Sequence, residues 1–124
     1  MKEVMAVIRM PMMNKTKDAL TAAGVAAFFA QEAQGRGKGL INRELLEGAT
    51  DGSEEAIAQL GEKGRLYPKR LVSIVVPDEE VDSVVKTLIA TNRTGRPGDG
   101  KIFILPVLDS ARVRTGETGE SAIG

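Results

Sequence analysis

Arg93–Phe103 reads RTGRPGDGKIF, and the fold of the chain turns on what stands on either side of it. Residues 95–101, GRPGDGK, fit G-x-x-x-x-G-K, the first seven positions of a phosphate-binding P-loop. The eighth position of that motif is Ser or Thr, whose hydroxyl reaches magnesium; here it is Ile102. A P-loop also lies between a strand and the helix it opens, so that phosphate meets a positive helix end. Upstream of this stretch, Val81, Val84, Val85 and Leu88 follow the i, i+3, i+4, i+7 spacing of a buried helix face. Asp78 is placed to cap that helix, with Glu79 and Glu80 at its positive end. The helix is expected to run to about Asn92. Downstream, KIFILPVL (101–108) is a strand. The loop therefore leads from helix to strand, and the P-loop reading fails on topology as well as on Ile102. Gly95, Gly98 and Gly100 still permit backbone conformations that turn several amides toward an anion, and Lys101 adds a cation at the edge. Residue chemistry alone leaves two readings open, an anion-binding loop or a hairpin-like connection with an incidental lysine. Asp99 reads as a turn former.

Working outward, LVSIVV (71–76) is a β-branched run that begins beside Lys69 and is closed by Pro77, a second strand. The N-terminal half repeats the order. Residues 2–9 read as a buried strand, Pro11 breaks it, and Asn14 is placed to cap a helix with Thr16, Ala19, Leu20 and Ala23 facing inward and Gly24 at its end. Extended structure resumes over Val25 to Ala33. Strand–helix–strand, a long loop, and strand–helix–strand again predict an α+β, ferredoxin-like βαβ-βαβ fold: one domain over 1–124, a four-stranded antiparallel sheet and both helices on one face. Two helices leave the other sheet face uncovered, and its apolar positions predict burial against another subunit.

Residues 37–66 interrupt this pattern with glycines and charges. A connection of that length in a small domain is usually functional. Within it, SEEAIAQL (53–60) suits a short helix with Ala56, Ile57 and Leu60 on one face and Gly61 as its stop, too short to be stable without a partner. After Pro106, residues 108–124 read as a polar C-terminal segment.

Composition narrows the function. The 124 residues carry 17 basic and 17 acidic side chains and 3% aromatics, which gives no general pull toward nucleic acid and no base-stacking platform. With no Cys and no His, disulfides, the usual zinc ligand sets, thiol chemistry and histidine acid–base catalysis are absent. No nucleophile–base pair is evident, so the chain is not expected to be an enzyme. No apolar run approaches the ~20 residues of a membrane span, and a cytoplasmic location is expected.

Four separated motifs, in order, make the chain resemble the PII signal-transduction proteins. TGRPGDGKIF (94–103) matches the nucleotide-contacting B-loop signature T-G-x-x-G-D-G-K-I-F. ARVRTGE (111–117) matches the C-terminal R-x-R-T-G-E. Lys69 after Pro68 matches the basic position that opens the third strand, and GRGKG (35–39) stands where the long T-loop begins. The resemblance implies a trimer, formed with itself or with a paralogous PII-like subunit, that binds ATP or ADP competitively in each cleft between subunits, and 2-oxoglutarate together with Mg2+ and ATP. Carried over by position, Gly35, Gly37, Lys69, Thr94, Gly95, Gly98, Asp99, Gly100 and Lys101 would surround the nucleotide, and Arg112 and Arg114 would reach in from the neighbour. Lys69, Gly37 and Lys38 would meet 2-oxoglutarate. Two of the chain's departures from the family fall in the long loop. The loop 37–66 has no tyrosine for uridylylation, and Gly39 stands where the family carries a glutamine that helps hold magnesium and 2-oxoglutarate.

MKEVMAVIRM, NKTKDAL, GRGKG and the EEAIAQLGEKGRL run resemble more narrowly the nitrogenase-associated subgroup, in its second paralogue. There the implied partner is dinitrogenase, inhibited by direct binding and released by 2-oxoglutarate. Arg43, Ala56, Ile57, Leu60 and Arg65 of the loop are the candidate partner contacts. Two alternatives remain: a general PII regulator of an ammonium transporter or of glutamine synthetase, and an unrelated ferredoxin-like ligand-binding module.

Overall fold

The computed structural model describes residues 1–25, 27–37 and 66–124. Lys38, Arg43, Ala56, Ile57, Leu60, Arg65 and the helix expected over 53–60 lie outside the described residues. Six main elements follow one another: β1 (Lys2–Arg9), α1 (Met13–Ala22), β2 (Phe29–Gly35), β3 (Tyr67–Val76), α2 (Val81–Asn92) and β4 (Lys101–Pro106). They form one antiparallel sheet in the order β2-β3-β1-β4, the ferredoxin-like α+β arrangement expected from the repeated strand–helix–strand order.

The sheet is built on period-2 alternation. Val4, Ala6 and Ile8 of β1 and Val72, Ile74 and Val76 of β3 are buried against Leu20 of α1 and Val81, Val84 and Leu88 of α2. Each of the Val, Ile and Leu side chains among them contributes roughly 1.5–3 kcal/mol on burial. A polar bolt joins the two helices inside this layer. Asn92 Nδ2 donates to Thr16 Oγ1 at 3.1 Å and to Leu88 O at 3.1 Å, while Thr16 Oγ1 donates to Met12 O at 2.7 Å. It fixes the end of α2, and therefore the start of the glycine loop. The other sheet face carries Met5, Val7, Leu71, Val75, Phe103 and Leu105, with Phe29 beside Ser73; Phe29 is 76% exposed.

Local details differ from the expectations at five places. Asn14 lies inside α1, which starts one residue earlier with Met12 at its N-cap; Pro11 opens a single 3-10 turn, Met10–Met12, that feeds the helix, since a fixed φ suits a first helical turn. The end of α1 is a Schellman turn, with Gly24 at φ +89 and the amides of Gly24 and Val25 bonded to Thr21 O and Leu20 O at 3.1 and 2.9 Å. This ties Val25 to the helix, so β2 begins only at Phe29. Asp78 does not cap α2: its carboxylate takes the Met1 amino group at 3.1 Å and Lys2 Nζ at 3.8 Å. Hydrogen bonding from that amino group, and then the charge of Lys2, hold its pKa below the ordinary carboxylate value. β4 ends at Pro106 rather than Leu108. Finally, the C-terminal segment is a folded loop rather than a loose tail. Ala111 bridges Thr118, Arg112 N donates to Glu117 O at 2.8 Å, and Gly116 N donates to Arg112 O at 2.7 Å.

Candidate anion-binding site

Antiparallel pairing brings four chain segments to one end of the sheet. The register sets Arg9, the last residue of β1, beside Lys69 of β3, Lys69 beside Ala33 of β2, and Val7 beside Lys101, the first residue of β4. The glycine loop, Arg93–Gly100, arrives over this end from α2. Gly35 closes β2 there as well, three strand spacings away from β4, or roughly 14 Å.

Asp99 organises the loop. Its carboxylate accepts from the Thr94 amide at 2.7 Å, the Gly95 amide at 2.9 Å, the Thr94 hydroxyl and the Arg9 guanidinium. These donors, the Thr94 hydroxyl first and Arg9 second, hold the carboxyl well below the ordinary carboxylate range. A carboxylate so satisfied is a poor proton acceptor, so Asp99 shapes the loop and is unsuited to act as a base for hydrolysis. Arg9 also donates to Pro97 O at 2.9 Å, and Lys69 Nζ donates to Gly98 O at 3.1 Å. The loop is thus clamped from beneath by two cations that belong to neighbouring strands.

Glycine is required at the points of closest approach. Gly100 has φ +116, and a Cβ there would lie 1.9 Å from the carbonyl oxygen of Val7. Gly98 has φ +97, and a Cβ there would lie 3.2 Å from an Arg9 guanidinium nitrogen. Beneath the loop, Arg9 and Lys69 face the single carboxylate of Asp99, which leaves positive charge uncompensated, and Lys101, Arg93 and Arg96 are exposed around it. Lys69 is buried, and its pKa is lowered, first by desolvation and then by Arg9, against the opposing pull of Asp99. The result is a concave, cationic loop of the kind that receives anions.

Between α2 and β4, alongside the loop, lies a groove of about 420 Å3 whose walls are Val85, Leu88, Ile89, Ile102 and Ile104, with Asn92, Arg93, Asp99, Gly100 and Lys101 at the loop end. Among the described residues no group of three Asp, Glu, His or Cys side chains is placed to hold a metal ion, and no helix is long and apolar enough to cross a membrane.

Of the residues expected at a nucleotide site, Lys69, Thr94, Gly95, Gly98, Asp99, Gly100 and Lys101 form one cluster. Gly35 and Gly37 lie at the same sheet end on the β2 side. Arg112 and Arg114 do not join them within the chain, because β4 carries the backbone roughly 20 Å to the opposite end before they appear; there Val107 N bonds Met1 O at 3.2 Å. Arg112 is held in the C-terminal loop, donating to Glu117 Oε1 at 3.1 Å, Ser121 O at 3.0 Å and Gly124 O at 2.8 Å, whereas Arg114 is exposed. Arg9 was not foreseen. Its only sequence signal is a cation ending the strand that pairs with both Lys69 and β4.

The fold and this site define a class: a small ferredoxin-like protein whose glycine-rich, cationic loop joins a helix to an edge strand. The profile of the family described as nitrogen regulatory protein P-II matches residues 1–117, and the chain belongs to that family of nitrogen-signalling proteins. It is 48% identical over 130 residues to nitrogen fixation nifHD region GlnB-like protein 2 of Methanothermococcus thermolithotrophicus, covering 100% of this chain and 99% of the relative. It is 41% identical over 125 residues to the protein of the same name from Methanobacterium ivanovii, covering 99% of each. Among solved structures, Arabidopsis thaliana PII bound to citrate superposes with a TM-score of 0.73 at 31% identity, covering 98% of this chain and 88% of that one. Within the family, the chain resembles the nitrogenase-associated second paralogue, as its N-terminal and loop sequences led us to expect.

Proposed function

We propose that this protein is a nitrogen-status sensor that binds ATP or ADP at the glycine loop, takes up 2-oxoglutarate beside it, and controls dinitrogenase by direct binding through residues 37–66. The observation that carries the reading is the loop itself. Three glycines with positive φ at 95, 98 and 100, with one strand cation, Arg9, bonded to the loop carboxylate of Asp99 and another, Lys69, bonded to the Gly98 carbonyl, make a shape that suits a polyphosphate. Gly98, Gly100 and Lys101 wrap the phosphates; Thr94, Gly95 and Asp99 hold the loop in shape. Mg2+ arrives with ATP, bound mainly by phosphate oxygens, as is usual for this ion. Lys69, with Gly37 and Lys38, meets 2-oxoglutarate; the citrate bound to the Arabidopsis relative is a ligand of the same polycarboxylate class. The site is completed in a trimer, where a neighbour supplies its C-terminal arginines.

The nitrogen-fixation names of the relatives support dinitrogenase as the target. Control then works as a shift of the 37–66 loop between states of different ligand affinity. Isothermal titration with ATP and ADP, alongside a phosphate-release assay, tests the sensor reading. Saturable binding without meaningful turnover is expected; turnover at ~1–1,000 per second, the ordinary enzyme range, would overturn it.

A further inference from the structure

Among the described residues three polar side chains are buried, Thr16, Lys69 and Asn92, and all three bear on the glycine loop. Lys69 holds it directly, through Gly98 O. Asn92 is the last residue of α2, two positions before Thr94, and Thr16 of α1 holds Asn92. This pair stands in a layer otherwise made of aliphatic side chains. Their attraction is non-directional and does not fix where one helix lies along the other.

One short stretch of chain, residues 9–16, grips both ends of the loop. Arg9 bonds Asp99 and Pro97 O at the far end, and Thr16 accepts from Asn92 at the near end. The Thr16 hydroxyl gives its own proton to Met12 O at 2.7 Å, and the second amide proton of Asn92 goes to Leu88 O at 3.1 Å. Two side chains thus set the spacing between two backbones, α1 at its first turn and α2 at its last. An apolar pair would fill the same space without directional bonds and would leave that spacing free to vary.

We infer that Thr16 and Asn92 are positioning residues for the anion site: their bond sets the start of the glycine loop and so the affinity of the loop for nucleotide, although neither side chain belongs to the loop. The end of the loop is set separately, where Gly100 lies against Val7 O. With both ends held, the course of the chain between them is fixed, including the Thr94 and Gly95 amides that reach Asp99. Loss of the Thr16–Asn92 bond frees the near end alone. The inference rests on the reading of the glycine loop as the nucleotide site, and adds to it two buried residues on the helices behind the loop.

ATP calorimetry and amide hydrogen exchange on Thr16→Val, Thr16→Ser, Asn92→Ala and the Thr16→Val/Asn92→Ala double variant test it. Thr16→Val keeps the volume and loses the hydroxyl, whereas Thr16→Ser keeps the hydroxyl and loses a buried methyl. Both lower the thermal melt, so titrations are made well below it, where circular dichroism matches the parent. ATP affinity then separates the two. Thr16→Val weakens ATP by roughly three- to tenfold, the scale of one lost hydrogen bond, and Thr16→Ser binds it like the parent. Asn92→Ala weakens ATP as Thr16→Val does, and the double variant loses little more, because both remove one contact. In the ligand-free protein Thr16→Val speeds exchange at Thr94 and Gly95 more than at Val72 and Ile74 of β3. Parent-like ATP affinity in Thr16→Val, or equal losses in Thr16→Val and Thr16→Ser, would overturn the inference. A parent that binds no ATP removes the site reading, and exchange at Thr94 and Gly95 then decides: selective acceleration in Thr16→Val upholds the positioning role, and parent-like rates overturn it.

Discussion

Gly100→Ala is the sharpest probe of the loop geometry. Gly100 is exposed and is not one of the core residues, so a loss on substitution comes from the loop and its contact with β1. Two costs are separable. The first is conformational, since φ is +116 and a non-glycine residue in such a region costs ~1–3 kcal/mol. The second is steric, since the new Cβ would stand 1.9 Å from Val7 O. That atom is backbone in the strand paired with β4, so it moves only by disturbing the Val7–Lys101 end of the ladder. Gly95→Ala supplies the control: its φ is +84, but a Cβ there meets nothing within 4 Å, so it carries the conformational cost alone. For a domain of this size 1–3 kcal/mol lowers Tm by about 4–12 °C. Gly95→Ala should fall within that interval and Gly100→Ala beyond Gly95→Ala, with ATP binding by Gly100→Ala weakened at least tenfold. Differential scanning calorimetry and titration calorimetry read both effects. If Gly100→Ala melted and bound ATP like Gly95→Ala, the close approach of loop to strand would be wrong, and with it the shape on which phosphate binding is argued.

Lys69→Met should leave the fold intact, because the charged amine is disfavoured by burial and by Arg9, while weakening ATP or 2-oxoglutarate binding by roughly tenfold or more, the ~1.5–3 kcal/mol of a charge-assisted contact; unchanged titrations would remove Lys69 from the site. Arg112→Ala and Arg114→Ala should each weaken ATP by roughly ten- to a hundredfold, but only Arg112→Ala should also speed amide exchange at Gly116 and Glu117. Parent-like affinity in both would refute the carry-over. Asp99 has its carboxyl pKa depressed by Thr94 and Arg9, so its contribution to the fold is present above the unfolded value of ~3.9 and is lost only as pH falls through its lower folded value. Loop amide shifts of Thr94 and Gly95 should therefore hold steady from neutral pH down to about 4, and a titration centred near the ordinary carboxylate value would contradict the four-donor arrangement.

The repeated strand–helix–strand order was legible because its signals are local: β-branched alternation at 71–76, the valine and leucine stripe of α2, and Gly24. The sheet order and the decisive Arg9 were not, because Arg9 acts on Asp99 across ninety positions of sequence, through a register that strand patterns do not specify. The caps failed for a related reason. Asn14 and Asp78 are competent capping residues, but Pro11 set the earlier helix start and the N-terminal amine captured Asp78. In the site, the glycine loop and Lys69 were visible as a motif. That Arg112 is held by its own loop while Arg114 stays exposed was not, because ARVRTGE does not say where either side chain turns.

The most direct test of the central claim is a pull-down of dinitrogenase by the purified protein with ATP, with and without 2-oxoglutarate, comparing the parent with a variant lacking residues 51–61. The parent should retain dinitrogenase with ATP and release it on addition of 2-oxoglutarate, while the deletion variant, still oligomeric and ATP-binding, should retain none. Retention and release by the deletion variant like those of the parent, or retention by the parent that ignores 2-oxoglutarate, would contradict control of dinitrogenase through this loop.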